Sequence, residues 1–416
     1  MASLTDRLAR RTTTGPYIPE ADGLRFVAIM LVLLFHASLS IFAAVRGAPN
    51  VQPFGGADLQ VKGWHLWDYV LNQGRYGVHL FFILSGFILG LPFVSGSPSL
   101  RAFYKRRLTR LEPPYLIALT ACFLLAPAGM GGHYLAGFFY LHTFVFRSVN
   151  PVNGALWSLE VEIIFYLLLP HIARVFSLSA RPRRVILLGA IAVAEPLQRH
   201  FASPVQHFSL VGLFQFFLTG LLLADLYVNG WGEKGKRRLW DVVGVASLGL
   251  FLLGGRAGWF YPLLPLIGAG LFGAAFLGVT TSRLLSNRYI TTVGGMAYSI
   301  YLVHVPLMFV LGRALPKNVF VFATTLILAS IALGVLFYVL IEQPCMDPTW
   351  PQRLRARAQR LAPRGNIITR RRDRTVEVVL NLTDASIRSG ATPVRAGTLP
   401  QPLGLPFEPP ASRTRS

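Results

Sequence analysis

Five short stretches carry the residues whose types and spacing suit chemistry. The first joins Arg25 to His36, eleven residues on. On a helix that spacing is about three turns with roughly 20° of drift and a rise of about 16 Å, so the two share a face. A neutral imidazole is cheap to bury and serves as a general base near neutral pH. A core histidine bonded to a neighbouring helix would look the same. The second stretch runs from Trp157 to Tyr166. Glu160 and Glu162 lie about 200° apart around a helix and cannot face one site. Glu162 and Tyr166, at i and i+4, can. A buried carboxylate there could orient a histidine or grip a sugar hydroxyl. A helix-end charge facing headgroups is the alternative, and it suits Glu160 better.

The third stretch is a polar stripe of Tyr298, Tyr301 and His304 at i, i+3 spacing, which interhelical hydrogen bonding would also explain. The fourth is the basic cluster from Lys105 to Arg110. Arginine forks match phosphate oxygens, and Arg106 with Arg110, one turn apart, suit two contacts to one anion. The excess of basic residues in cytoplasmic loops accounts for the cluster equally well. The fifth is Ser85, within Gly77–Phe87. Ile83 breaks the G-x-S-x-G nucleophile elbow, so Ser85-Gly86 is expected to allow close helix packing or to line a ligand channel.

The elements that must position these residues are long and apolar. The chain of 416 residues is 53% apolar and only 14% charged, with a mean hydropathy of +0.50. Soluble domains carry roughly 25% charged residues, so most of this chain belongs in lipid. Apolar runs near the length of about 20 residues that crosses a bilayer as helix occur ten times. They are 24–45, 77–94, 112–130, 155–177, 184–201, 207–228, 240–256, 259–281, 290–312 and 318–341. The first is too long for a signal-peptide core. An eleventh run, 133–147, is short and holds two histidines.

Charge decides among the topologies. Lys and Arg number 40 against 18 acidic residues, a net +22. The basic residues sit in short clusters between apolar runs, which argues against nucleic acid as a partner. With the N-terminus inside, every later cluster falls inside only if 133–147 does not cross. The expectation is therefore an all-α, polytopic membrane bundle of about ten transmembrane helices with both termini cytoplasmic. Segment 133–147 becomes an outer re-entrant or interfacial piece. Residues 1–19 form a cytoplasmic lead, 20–345 the transmembrane domain and 346–416 a basic tail. Residues 349–416 hold thirteen Arg and four acidic residues. Within them 352–362 suit a short basic helix on the membrane surface, and the rest is expected to be disordered. Cys122 and Cys345 are too few for a disulfide framework. No metal-spaced cluster, Walker loop or dinucleotide fingerprint occurs, so neither a metal nor a bound cofactor is expected.

Taken in order, the motifs resemble acyltransferase family 3, integral-membrane O-acyltransferases that decorate bacterial surface glycans. Asp22-Gly23-Leu24-Arg25 with His36 resembles its opening motif, and Phe81-Phe82-Ile83-Leu84-Ser85-Gly86 its FFxxSG motif. Arg106-Arg107-Leu108-Thr109-Arg110 is similar to its RRxxR cluster, and Trp157 to Tyr166 to its WSLxxE…FY stretch. Tyr298 to Pro306 resembles its YSxYLxHxP stretch, and Glu342-Gln343-Pro344 its closing E-x-P. The resemblance covers roughly 20–345. It departs at His79, where the family often has Asp, and at Ile163, where a second Glu is common.

The resemblance implies transfer of an acyl group, usually acetyl, from acyl-CoA to a hydroxyl of a glycan or glycolipid acceptor at the bacterial inner membrane. Arg25, Arg106, Arg107, Arg110 and Ser85 would hold the donor. His36 would act as general base or acyl relay, with Glu162, Tyr301 and His304 completing the catalytic group. A polytopic transporter or flippase is the rival reading, since intramembrane His and Glu also suit a proton-coupled carrier.

Overall fold

The structure is a computed structural model. It describes residues 8, 17–46, 70–96, 98–201, 210–253, 260–311, 319–347, 349–361, 367–372 and 375–380. The chain divides into two compact units, Met1–Arg353 and Leu354–Ser416.

Every regular element among the first unit's described residues is helical. The unit opens with α1 (Pro19–Arg46), then α2 (Gly77–Val94) and α3 (Leu100–Leu124). Two short helices follow, α4 (Gly131–Phe138) and α5 (His142–Phe146). Next come α6 (Trp157–Ile172), α7 (Ala180–Phe201), α8 (Leu210–Val228) and α9 (Arg238–Leu253). α10 (Leu264–Leu277), α11 (Thr280–Leu285), α12 (Arg288–Gly295) and α13 (Ala297–Leu311) lead to α14 (Val319–Phe337). A π-turn, Tyr338–Glu342, and a short turn lead on to α15 (Trp350–Leu361).

α1 is the central element. It packs against α2, α10, α11, α12, α13 and α14, which is why it can aim Arg25 and His36 inward. α2 and α8 pack against each other most extensively. Glycines explain the closeness: a side-chain carbon on Gly86 would fall on the Phe217 carbonyl, and one on Gly220 on the Ile83 carbonyl. Small residues that let backbones meet are the usual means of helix association in lipid.

Each of the ten stretches expected to cross is helical over most of its length, but ten full spans are not confirmed. Among the described residues four helices are long and apolar enough to span: Pro19–Ile41, Val70–Val94, Leu210–Val228 and Val321–Cys345. A fifth arises if α12 and α13, which meet at 64°, are one broken span. The shortfall has two causes. α6, α9 and α10 hold 16, 16 and 14 residues, short of the about 20 that cross a bilayer core. α3 and α7 are long enough but carry Arg101, Arg107, Arg110, Arg183 and Arg184 within the helix rather than in flanking loops. Val321–Cys345, the most apolar of the four, is only 22% buried along its apolar stretch. A helix that apolar and that exposed has lipid as its natural solvent. Segment 133–147 falls mostly within α4 and α5, each too short to cross.

In the second unit the backbone of Ile367–Arg372 pairs antiparallel with Thr375–Leu380, a hairpin where the sequence reading expects no element. The rest of the stretch expected to be disordered lies outside the described residues, as do Arg7, Arg10 and Arg11.

Candidate active site

A cavity of about 140 Å³ opens between α1, α2, α3, α6 and the α12–α13 bend. On α2 its wall is Phe81, Ser85 and Ile88, spaced i, i+4, i+7 and so on one face. The neighbouring Gly86 packs on α8. Both roles open to Ser85-Gly86 are thus filled at once, one by each residue.

The basic side comes from α1 and α3. Arg25 is ion-paired with the buried Asp22, three residues earlier. Arg107 lies over the Phe103 and Tyr166 rings, 5.6 Å from each centroid. Arg110 stands 3.6 Å from Glu342, which is fully buried and also accepts the Ser299 hydroxyl at 2.6 Å. Arg106 is not among the lining residues, so the pair on the cavity is Arg107 with Arg110 at i+3, not Arg106 with Arg110. Pro113 has no N–H to give the Thr109 carbonyl one turn before it. The Trp350 indole N–H supplies that bond at 2.8 Å, tying the C-terminal end of the unit to the arginine-bearing turn.

The two glutamates part as their helical spacing requires. Glu162 faces the cavity and accepts the Ser85 hydroxyl at 2.5 Å, and Tyr166 donates to the same oxygen. Glu160 does not face headgroups. It is buried and accepts the Thr143 N–H at 2.8 Å, pinning α5 to α6. Beside it His142 and His133 share a hydrogen bond of 2.9 Å. Burial, then the adjacent His133, holds the His142 imidazole down at about 4.

Tyr298 and Tyr301 reach the cavity from α13. The Tyr301 hydroxyl donates to the Ala155 carbonyl at 3.0 Å and lies 2.6 Å from the Ser158 hydroxyl. Neither His36 nor His304 is among the lining residues. They form a pair behind it, His304 Nε2 3.4 Å from His36 Nδ1, and the Tyr301 and His304 rings are 5.3 Å apart. Backbone carbonyls set both tautomers. His304 Nδ1 lies 2.7 Å from the Tyr301 carbonyl and His36 Nδ1 3.0 Å from the Val32 carbonyl. A carbonyl only accepts, so each Nδ1 carries the proton. That leaves a lone pair on His36 Nε2, on a half-buried ring.

Sequence reading missed several lining residues. Tyr115 and Tyr140 stack at 4.3 Å on the wall, and Ser158 and Glu342 complete it. Glu342 had a signal, the closing E-x-P. The tyrosines had none, because their approach depends on α3 packing against the loop after α4.

The site thus joins an arginine-lined cavity, a carboxylate–hydroxyl cluster and, behind it, a histidine pair. The family model of the acyltransferase domain, acyltransferase family 3, matches residues 18–339, and the chain belongs to that family. It is 25% identical over 335 residues to the O-acetyltransferase OatA of Staphylococcus aureus, covering 70% of this chain and 51% of the relative. It is 23% identical over 355 residues to the peptidoglycan O-acetyltransferase OatA of Listeria monocytogenes, covering 72% and 51%. The chain thus spans about half the length of these relatives. No solved structure matches.

Proposed function

We propose that the protein moves an acyl group, acetyl in the simplest case, from acyl-CoA to a hydroxyl of an envelope glycan or glycolipid. The observation that carries this is the continuity of one site: three arginines on the cavity, a Ser85–Glu162–Tyr166 cluster beside them, and Tyr301 leading to the His304–His36 pair. Arg25, Arg107 and Arg110 are suited to the donor's phosphates. His36 Nε2 takes the proton of the acceptor hydroxyl as its oxygen attacks the acyl carbonyl. The charge gained on the ring is stabilised through Nδ1–H by the Val32 carbonyl, with the lone pair of His304 Nε2 beside it. His304 is in this reading a positioning residue. Family membership and the relatives' names support a glycan acceptor. The charge pattern supports ten crossings, an inner-membrane location, cytoplasmic termini and a donor approaching from the cytoplasm.

The test is coenzyme A release from membranes given acetyl-CoA and peptidoglycan fragments. Base catalysis is worth about 10²–10⁴ in rate. His36→Ala should therefore lose product by about that factor while inserting and eluting as the wild type does. Near-normal acylation in that variant would sink the assignment.

The bent α12–α13 pair, with Gly294 and Gly295 on the cavity, adds to the intramembrane His and Glu a feature that favours a carrier. Carriers place a matching broken helix in each half. One bent pair is found among the described residues. A carrier would release no coenzyme A.

A further inference from the structure

We infer that Ser85 carries the acyl group as a covalent oxyester between donor and acceptor. The inference rests on the acyl-transfer reading above and goes beyond it by naming the intermediate. It begins from a separation. The arginines lie on the cavity, whereas His36 and His304 lie behind it and meet it through Tyr301. A group delivered among the arginines has to be handed on before His36 can serve its acceptor.

Ser85 is the hydroxyl equipped to receive it. It sits near the middle of α2, half-buried, on the cavity wall. Its hydrogen points at a carboxylate, Glu162 Oε1 at 2.5 Å. A serine hydroxyl is a weak nucleophile until an adjacent base takes its proton, and a nucleophile and base within hydrogen-bond reach are the signature of such a pair. Tyr166, in the next turn of α6, donates to the same oxygen and holds the carboxylate in place. The base is thus itself oriented by a third group. The other serine on the wall, Ser158, lacks this arrangement: its neighbours are the Tyr301 hydroxyl and the Ala155 carbonyl. Phe81, one turn from Ser85 on the same face, packs 6.0 Å from Tyr301, so the wall that carries Ser85 runs on toward the histidine pair.

The steps balance. Ser85 Oγ attacks the carbonyl carbon of an acyl thioester while Glu162 takes the hydroxyl proton. The carbon–sulfur bond breaks, and the proton passes from Glu162 to the leaving thiolate. Ser85 then holds an oxyester. The acceptor hydroxyl gives its proton to His36 Nε2 and attacks that ester. The bond to Ser85 Oγ breaks, and the proton on His36 restores the serine hydroxyl. No oxidant or reductant enters.

The experiment uses full-length protein in nanodiscs with carbonyl-labelled acetyl-CoA and no acceptor, followed by denaturation and peptide mapping. In His36→Ala the second half-reaction is blocked, and label should build up on the peptide holding Ser85, released by hydroxylamine. Glu162→Gln should slow labelling by about 10²–10⁴. Ser85→Ala should take no label, and Ser85→Cys should restore it as a thioester, which separates lost chemistry from lost folding. A Ser85→Ala protein that elutes normally and still acylates acceptor at the wild-type rate overturns the inference and leaves the acyltransferase reading standing. Label mapped to another residue does the same. A wild type that releases no coenzyme A even with acceptor overturns both.

Discussion

At the residue scale the two carboxylates of α6 make the sharpest contrast. Glu160 serves structure, since it accepts the Thr143 backbone N–H of α5. Glu162 serves the cavity, where it accepts two hydroxyls. Removing an acceptor from a buried donor costs about 1–3 kcal/mol. Glu160→Ala should therefore lower the thermal midpoint of detergent-solubilised protein and spare the turnover of whatever remains folded. Glu162→Gln keeps the shape and should do the reverse, reducing turnover by about 10²–10⁴ with little change in midpoint. Fluorescence-detected thermal melts alongside coenzyme A release would read both. If both variants lose the same property, the division of roles is wrong. The spacing of the glutamates was enough to say that they part. Which one turns to the cavity depended on what α5 and α2 bring to either side, and no pattern within 157–166 holds that.

At the scale of elements, two contacts hold the site in place from outside it. The first repairs a defect. Proline at 113 leaves the Thr109 carbonyl without its helical donor, and Trp350 fills the gap. Trp350→Phe keeps the ring and loses the N–H, which should cost about 1 kcal/mol. Because Thr109 lies beside Arg110, apparent donor affinity should weaken as well, measured by titrating acetyl-CoA against the initial rate. A variant with unchanged affinity would confine Trp350 to stability.

The second contact is the α4–α5 segment. The unfolded chain protonates His142 near 6.5, the folded segment only near 4. Between those values the opened form binds more protons, so the segment should loosen as pH falls from 6.5 toward 4 and be firmest above 6.5. Amide hydrogen exchange of 131–147 at the two ends of that window measures this, and His142→Phe should flatten the difference.

At the scale of the whole molecule, charges read as topology markers also bind the fold. Arg183 and Arg184, expected as loop charges, both reach Asp225 on α8, the latter at 2.6 Å. Asp225 is fully buried. Taking one partner from a buried ion cluster costs about 3–5 kcal/mol. Asp225→Ala should accordingly cut the yield of monodisperse protein sharply, more than any change at the exposed Lys105, as size-exclusion profiles would show. Asp225 was passed over in the sequence because one acid in an apolar run has no local partner. Its arginines lie some forty residues earlier, and only the antiparallel packing of α7 on α8 joins them.

The sequence by itself determined the class. Apolar runs near bilayer length force helices, because lipid offers no partner for an open backbone. The motif residues then fall on the helix faces their periodicity dictates: Ser85 with Phe81, Glu162 with Tyr166, Tyr298 with Tyr301. These are consequences of local geometry and can be read locally. The tertiary structure decided what local geometry cannot. It chose Arg107 over Arg106 for the cavity, set Glu162 against Ser85 across 77 positions of chain, and put His304 behind His36 across 268. It also showed helices of 14 to 16 residues where full spans were expected. Those outcomes depend on how helices cross, and crossing is set by packing at a few small residues such as Gly86 and Gly220 that no periodicity reveals.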